Sequence, residues 1–215
     1  SEGHGASPRF TSSTPKRGNA MKKWACLLGL AAMFVGGSAL AQVDPDDDGI
    51  GIYFDLTAET YCDAVTASVP FDAYLILTRA TAEAGVSGWE CQLEFSSLVF
   101  ALNWGYQGQA VNAAVPPEFA VGLAAPLPWQ PAINLMTITF MSLVPTCEWV
   151  HIVPTLQPSI PGELVYADGA DPGNLIIMRQ STGGPDEPVF GMNCDCPPPI
   201  ATDEASWGNV KNLYR

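Results

Sequence analysis

From Gly49 onward the chain divides into short runs of apolar, aromatic and β-branched residues, separated by Gly, Pro, Asp and Asn. Runs of this length and composition predict strands, since an amphipathic helix needs a longer stretch with a wider period. The predicted strands are Gly49 to Leu56, Thr60 to Val65, two within Phe71 to Phe95, Leu98 to Trp104, Gln109 to Val111 and Glu118 to Leu123. They continue with Ile133 to Leu143, Cys147 to Val153, Glu163 to Ala167, Leu175 to Gln180 and Val189 to Met192. Phe71 to Phe95 is the densest stretch, and its two runs, joined through a small-residue region with Gly85 and Gly88, predict a hairpin-like pair of neighbouring strands at the centre of the fold. In the longest later run, alternation puts Ile133, Leu135, Thr137, Thr139 and Met141 on one face. Pro116-Pro117 and the prolines between Pro126 and Pro131 exclude helix between the strands. The pattern predicts an all-β, antiparallel β-sandwich of immunoglobulin-like type, without internal repeats.

The two ends differ from this middle. Met21 opens a stretch with Lys22 and Lys23, an apolar run from Trp24 to Val35 and the small residues Ala39-Leu40-Ala41, the pattern of a cleaved signal peptide. Residues 1–20, rich in Ser, Gly and Pro, read as an upstream extension ahead of the true start, and 21–41 as the leader. The sandwich is expected over 42–196, followed by a proline spacer and tail over 197–215. Pro197 to Pro199 stiffens the chain, and Trp207, Val210 and Tyr214 then recur at helical spacing, giving a short helical tail one apolar face. Such a face suits recognition by an export or attachment component, or a groove on its own domain.

Charge narrows the partners. The whole chain carries −13, but from Gln42 onward only Arg79, Arg179, Lys211 and Arg215 are basic, and the expected mature chain carries −17. That field repels nucleic acid and anionic lipid, and favours cations. After the leader no segment is long and apolar enough to span a membrane. Five cysteines follow it, and an exported chain meets an oxidising compartment. Cys91 and Cys147, each in a strand run, are expected to staple strands, while Cys62 would reach Cys194 or Cys196 and join the start of the domain to its end.

Candidate chemistry is sparse. Counting from Asp44, carboxylates at Asp44, Asp46, Asp48 and Asp55 with Gly49 at the sixth place match the oxygen spacing of a calcium loop, though a strand follows where a helix would stand. Asp168 and Asp171 could form a second cation site. Without calcium, no cofactor is implied. Trp129, in a proline-rich loop, and Tyr106 are candidates for ligand binding, because exposed aromatic faces stack on sugars. Only His151 remains from Gln42 onward, in a hydrophobic strand, and no nucleophile elbow, zinc-protease motif or phosphate-binding loop is present. The reading is a non-catalytic, secreted or cell-surface module that binds a glycan or an extracellular protein. The alternative is a secreted hydrolase acting on glycans through a carboxylate pair.

The order of GVSGWECQLEF and, later, INLMTITFMSL resembles the cohesin-type and carbohydrate-binding-module sandwiches of secreted bacterial proteins over roughly Gly49 to Gln180. That resemblance implies a fold more than a ligand. GIYFD, GWECQLEF, PPEFAVGLAAPLP, YADGADPGNL and the terminal SWGNVKNLYR also resemble a group of uncharacterised secreted bacterial proteins with a W-G-x-V-K-x-L-Y-R ending. No residue role carries over from either likeness.

Overall fold

The computed structural model describes residues 46–181 and 187–195. The leader, the tail with Trp207, Val210 and Tyr214, and the residues Asp44 and Cys196 lie outside them. Within them are twelve strands: β1 Gly49–Tyr53, β2 Cys62–Asp63, β3 Phe71–Thr78, β4 Val86–Phe95, β5 Val99–Tyr106, β6 Ala110–Asn112, β7 Glu118–Leu127, β8 Ala132–Ser142, β9 Glu148–Val153, β10 Leu164–Asp168, β11 Leu175–Gln180 and β12 Phe190–Met192. Each of them overlaps a run expected from the sequence, and β5, β6, β7, β8 and β10 extend beyond the expected bounds.

Two sheets pack face to face. The first runs β11-β1-β3-β8-β5. In the second, β4 pairs β7 along one edge, and β7 pairs β6. The other edge of β4 is shared, with β10 along Val86 to Glu90 and β9 along Gln92 to Phe95. β12 and then β2 extend the sheet beyond β9. β11 belongs to both sheets: Leu175 to Met178 pair antiparallel with β10, then Arg179 and Gln180 pair in parallel with β1. One strand thereby closes a side of the sandwich that would otherwise leave two edges open.

The expected central hairpin is not a hairpin. β3 lies in the first sheet between β1 and β8, and β4 lies in the second, so the two runs face each other across the core. Residues 79–85 form an arch between the sheets, too long for a tight two-residue turn and fastened at several points. Arg79 N–H donates to the Pro131 carbonyl (2.9 Å), Thr81 N–H to Asp48 Oδ1 (2.8 Å), Ala82 N–H to the Tyr166 hydroxyl (3.2 Å), and Gly169 N–H to the Gly85 carbonyl (2.9 Å). Ala80 and Ala82 are buried and cap the core below the arch. Gly85 has φ +84°, and a Cβ there would lie 1.9 Å from the Leu127 carbonyl oxygen, so no other residue fits.

The face expected for β8 also changes. Ile133 and Leu135 point inward, but so do Met136, Ile138, Phe140 and Ser142, because Leu135 is an extra residue opposite the Leu75/Ile76 junction. This β-bulge reverses the alternation, turning Thr137, Thr139 and Met141 outward. The core between the sheets holds Ile50, Ile52, Leu75, Leu77, Trp89, Leu93 and Tyr166 among others. Phe71, Phe140, Phe190 and Phe54 pack together in one aromatic cluster, while Trp89, Trp104 and Tyr106 surround Phe119 in another.

Cys91 and Cys147 do not pair. Cys91 points into the core, is fully buried and is a free thiol whose pKa burial pushes up. Cys147 bonds Cys194 instead. The reason is register: Met192 on β12 lies opposite Glu148 on β9, so the chain just beyond β12 runs alongside the chain just before β9. Cys62 is also disulfide-bonded; of its two expected partners, Cys194 is bonded to Cys147 and Cys196 lies outside the described residues. Removing the Cys147–Cys194 bridge, which spans 47 residues, by Cys147→Ser with Cys194→Ser should cost about 4 kcal/mol, read as a lower urea midpoint with a steeper slope, because the freed denatured chain exposes more surface.

Candidate functional site

On the outer face of the second sheet, the inward residues Trp89, Cys91 and Leu93 leave Gly88, Glu90 and Gln92 of β4 pointing away from the core. Gly88 lies opposite Gly122 on β7 and opposite Ala167 on β10. Across three adjacent strands, the largest side chain in that row is a methyl group. The result is a trough of about 320 Å³ floored by backbone and small side chains, with Ala120 beside Gly122 and with Glu90, Ser159, Pro172 and Leu175 in its lining. Outward positions of a solvated sheet ordinarily carry larger polar or β-branched side chains.

The two glycines differ physically. A Cβ on Gly88 would lie 2.7 Å from the Val121 carbonyl oxygen, so the close approach of β7 requires glycine there. A Cβ on Gly122 meets nothing within 4 Å, so its missing side chain leaves open space in the trough and relieves no contact.

The connection over 154–163 is strapped to this face by two carboxylates. Glu90 accepts the Ser159 N–H (2.6 Å) and hydroxyl (3.1 Å), and Glu118 accepts the Leu156 N–H (2.9 Å). Val165, on the outer side of β10, and Thr155 are consequently buried. Charge-assisted bonds of this kind are stronger than neutral ones and hold a loop in one place.

Of the expected calcium ligands, Asp44 lies outside the described residues, and the described Asp48 and Asp55 are held apart. Asp48 and Asp55 stand beyond opposite ends of the extended β1, roughly 15 to 20 Å apart at strand rise. Each is engaged locally. Asp48, at φ 59°, accepts the Tyr166 hydroxyl (2.6 Å) and the Thr81 N–H and hydroxyl. Asp55 accepts N–H groups from Thr57, Glu59 and Thr60 and the Thr57 hydroxyl. Burial alone would raise the Asp55 pKa, but these bonds together lower it. Asp46 is exposed, and Asp46, Asp47 and Asp48 line an open notch with Ile177 and Arg179. Asp168 and Asp171 cap their own turns through Ala170 and Gly173 N–H groups. Among the described residues, no three His, Cys, Asp or Glu side chains converge as a metal site.

Trp129 is 47% exposed, and its indole N–H donates to the Ala80 carbonyl (2.8 Å), which fixes the ring on the arch. Tyr106 sits elsewhere: its ring packs edge-on against Phe119, and its hydroxyl accepts from Asn112 Nδ2 (3.3 Å). Neither aromatic lines the trough. The trough escaped sequence reasoning because small residues at 88, 120, 122 and 167 are unremarkable until strand register aligns them.

Two tests follow from the carboxylate contacts. Burial and the Asp48 hydrogen bond push the Tyr166 hydroxyl up to about 12 from an ordinary value of 10.0, so its contribution is intact below pH 10 and is lost as pH rises towards 12. Tyr166→Phe should cost about 1 to 2 kcal/mol at neutral pH and flatten the alkaline fall in Tm. Asp55 has the opposite sign: its contribution is present above pH 3.8 and is lost as pH falls through its lowered value. Asp55→Ala should cost about 1 kcal/mol at pH 7 and weaken the acid fall in Tm, both measured by thermal melts across pH.

No family model and no curated protein matches the chain. Among solved structures, a cohesin module from the family 33 glycoside hydrolase of Clostridium perfringens is similar over 61% of this chain and 90% of its own, at 12% identity and a TM-score of 0.43. A type II cohesin domain from the cellulosome of Acetivibrio cellulolyticus is similar over 70% of this chain and 97% of its own, at 13% identity and a TM-score of 0.45.

Proposed function

We propose that this β-sandwich is a non-catalytic binding module, working outside the cytoplasm, that receives a protein segment in the trough on its second sheet. The observation that carries this reading is the row Ala167, Gly88 and Gly122, which leaves three adjacent strands without a side chain larger than methyl. Glycine inside a strand sacrifices packing and backbone entropy, and a common reason to keep it is close approach by another chain. A Cβ at Gly122 would meet nothing within the domain, so its missing side chain leaves room there for a partner.

The trough has the volume of a small binding pocket and would take one or two side chains of a docked segment. The net charge of −13 favours a basic partner and would speed its encounter. Glycan hydrolysis is less well supported, since it needs two carboxylates flanking one bond and the trough lining contains one, Glu90, already bonded to Ser159. The Cys147–Cys194 disulfide suits an oxidising compartment.

Gly122→Leu separates binding from folding. The new side chain enters open space, so Tm should change by no more than about 1 °C, while retention on an array of basic peptides should fall at least tenfold. Gly88→Ala instead collides with backbone and should cost about 1 to 3 kcal/mol. Turnover in a glycan-hydrolase screen, or peptide retention unaffected by Gly122→Leu, would count against the proposal.

A further inference from the structure

The opposite face of the sandwich carries a different feature. β5 is the end strand of the first sheet and, among the described residues, pairs only with β8. Val99 and Ala101 pack into the core, and Phe100 faces outward beside Met141. Leu98, Phe100, Leu102 and Leu143 are 41% to 51% exposed, and Val69 adjoins them because Ser68 N–H donates to the Ser142 carbonyl (2.7 Å). Five large apolar side chains on an open edge form the kind of patch that marks an interface.

The chain's own exit lies beside this patch. Cys194 Sγ lies 3.5 Å from the Glu148 carbonyl oxygen, and the Glu148 carboxylate accepts the Ser96 hydroxyl. Ser96 Oγ accepts the Leu98 N–H (3.2 Å), and the Leu98 carbonyl accepts the Leu143 N–H (2.9 Å). An unbroken set of contacts therefore connects the root of the C-terminal segment to Leu98 and Leu143, and the Cys147–Cys194 disulfide fixes that root in place.

We propose that the segment 205–215 of the same chain docks on the patch formed by Leu98, Phe100, Leu102, Leu143 and Val69. The length fits: the twelve residues from Cys196 to Trp207 reach at most roughly 40 Å, ample for a patch that begins next to the root. The chemistry fits as well. Trp207, Val210, Leu213 and Tyr214 supply apolar groups, while Lys211 and Arg215 are two of the four basic residues after Gln42 and meet a strongly acidic domain. An intrachain partner has a high effective concentration, so modest contacts suffice to keep it docked.

The test uses the full exported chain with photoreactive p-benzoylphenylalanine in place of Trp207. Irradiation of the monomer at low concentration should yield an intrachain cross-link to a peptide containing Leu98 to Leu102 or Leu143. Cross-links between two chains, or none to the patch, would overturn the proposal. A thermal double-mutant cycle supplies a second readout: Trp207→Ala and Phe100→Ser should each lower Tm by about 2 to 4 °C, and the double variant by no more than the larger single shift. An unchanged Tm for Trp207→Ala, or strictly additive shifts, also overturns it.

Discussion

The arch from Arg79 to Gly85 turns two adjacent apolar runs into the facing walls of a sandwich, and the rest of the fold depends on its being held. Had β3 and β4 paired side by side, β1 and β8 could not both flank β3, nor could β7 and β10 both flank β4. The fastening is polar and lies at the end of the core. Asp48 receives Tyr166 and Thr81, Tyr166 receives Ala82 N–H, and the carbonyl of Ala80 takes the indole N–H of Trp129. Tyr166 joins the layers directly, with its ring in the core and its hydroxyl on the arch.

A chain this acidic and this poor in Lys and Arg cannot satisfy its carboxylates mainly with ion pairs. Arg79 with Asp47 is an exposed pair, of the kind that contributes little. Asp48, Asp55, Asp168 and Asp171 instead accept backbone N–H groups in turns, and Glu90 and Glu118 accept them from a loop crossing the sheet. Of the carboxylates whose spacing reads as a cation loop in the sequence, Asp48 serves the arch and Asp55 a turn. An acidic side chain next to a turn serves either purpose, and which one it serves is set by whether its neighbours coil or extend. Here β1 extends between Asp48 and Asp55 and separates them.

The two outer faces of the sandwich are unlike each other. On the second sheet, a strapped connection borders a trough floored by backbone and small side chains. On the first, an end strand exposes large apolar groups next to the point where the chain leaves the domain. Both follow from register: one aligns Gly88 with Gly122 and Ala167, the other sets Phe100 beside Met141.

The sequence by itself determined the all-β class and the approximate place of every described strand, because short apolar runs between Gly and Pro admit little else. It also placed Trp129 as an exposed aromatic, since a proline-rich loop has no core to offer it. Tertiary structure alone decided which sheet each strand joined, since a strand's apolar face fits either wall. The bulge at Leu135, the pairing of Cys147 with Cys194 and the burial of Cys91 followed from that choice. The trough was beyond sequence for the same physical reason: three small residues far apart in the chain become one surface only when inter-strand hydrogen bonds fix them in a row.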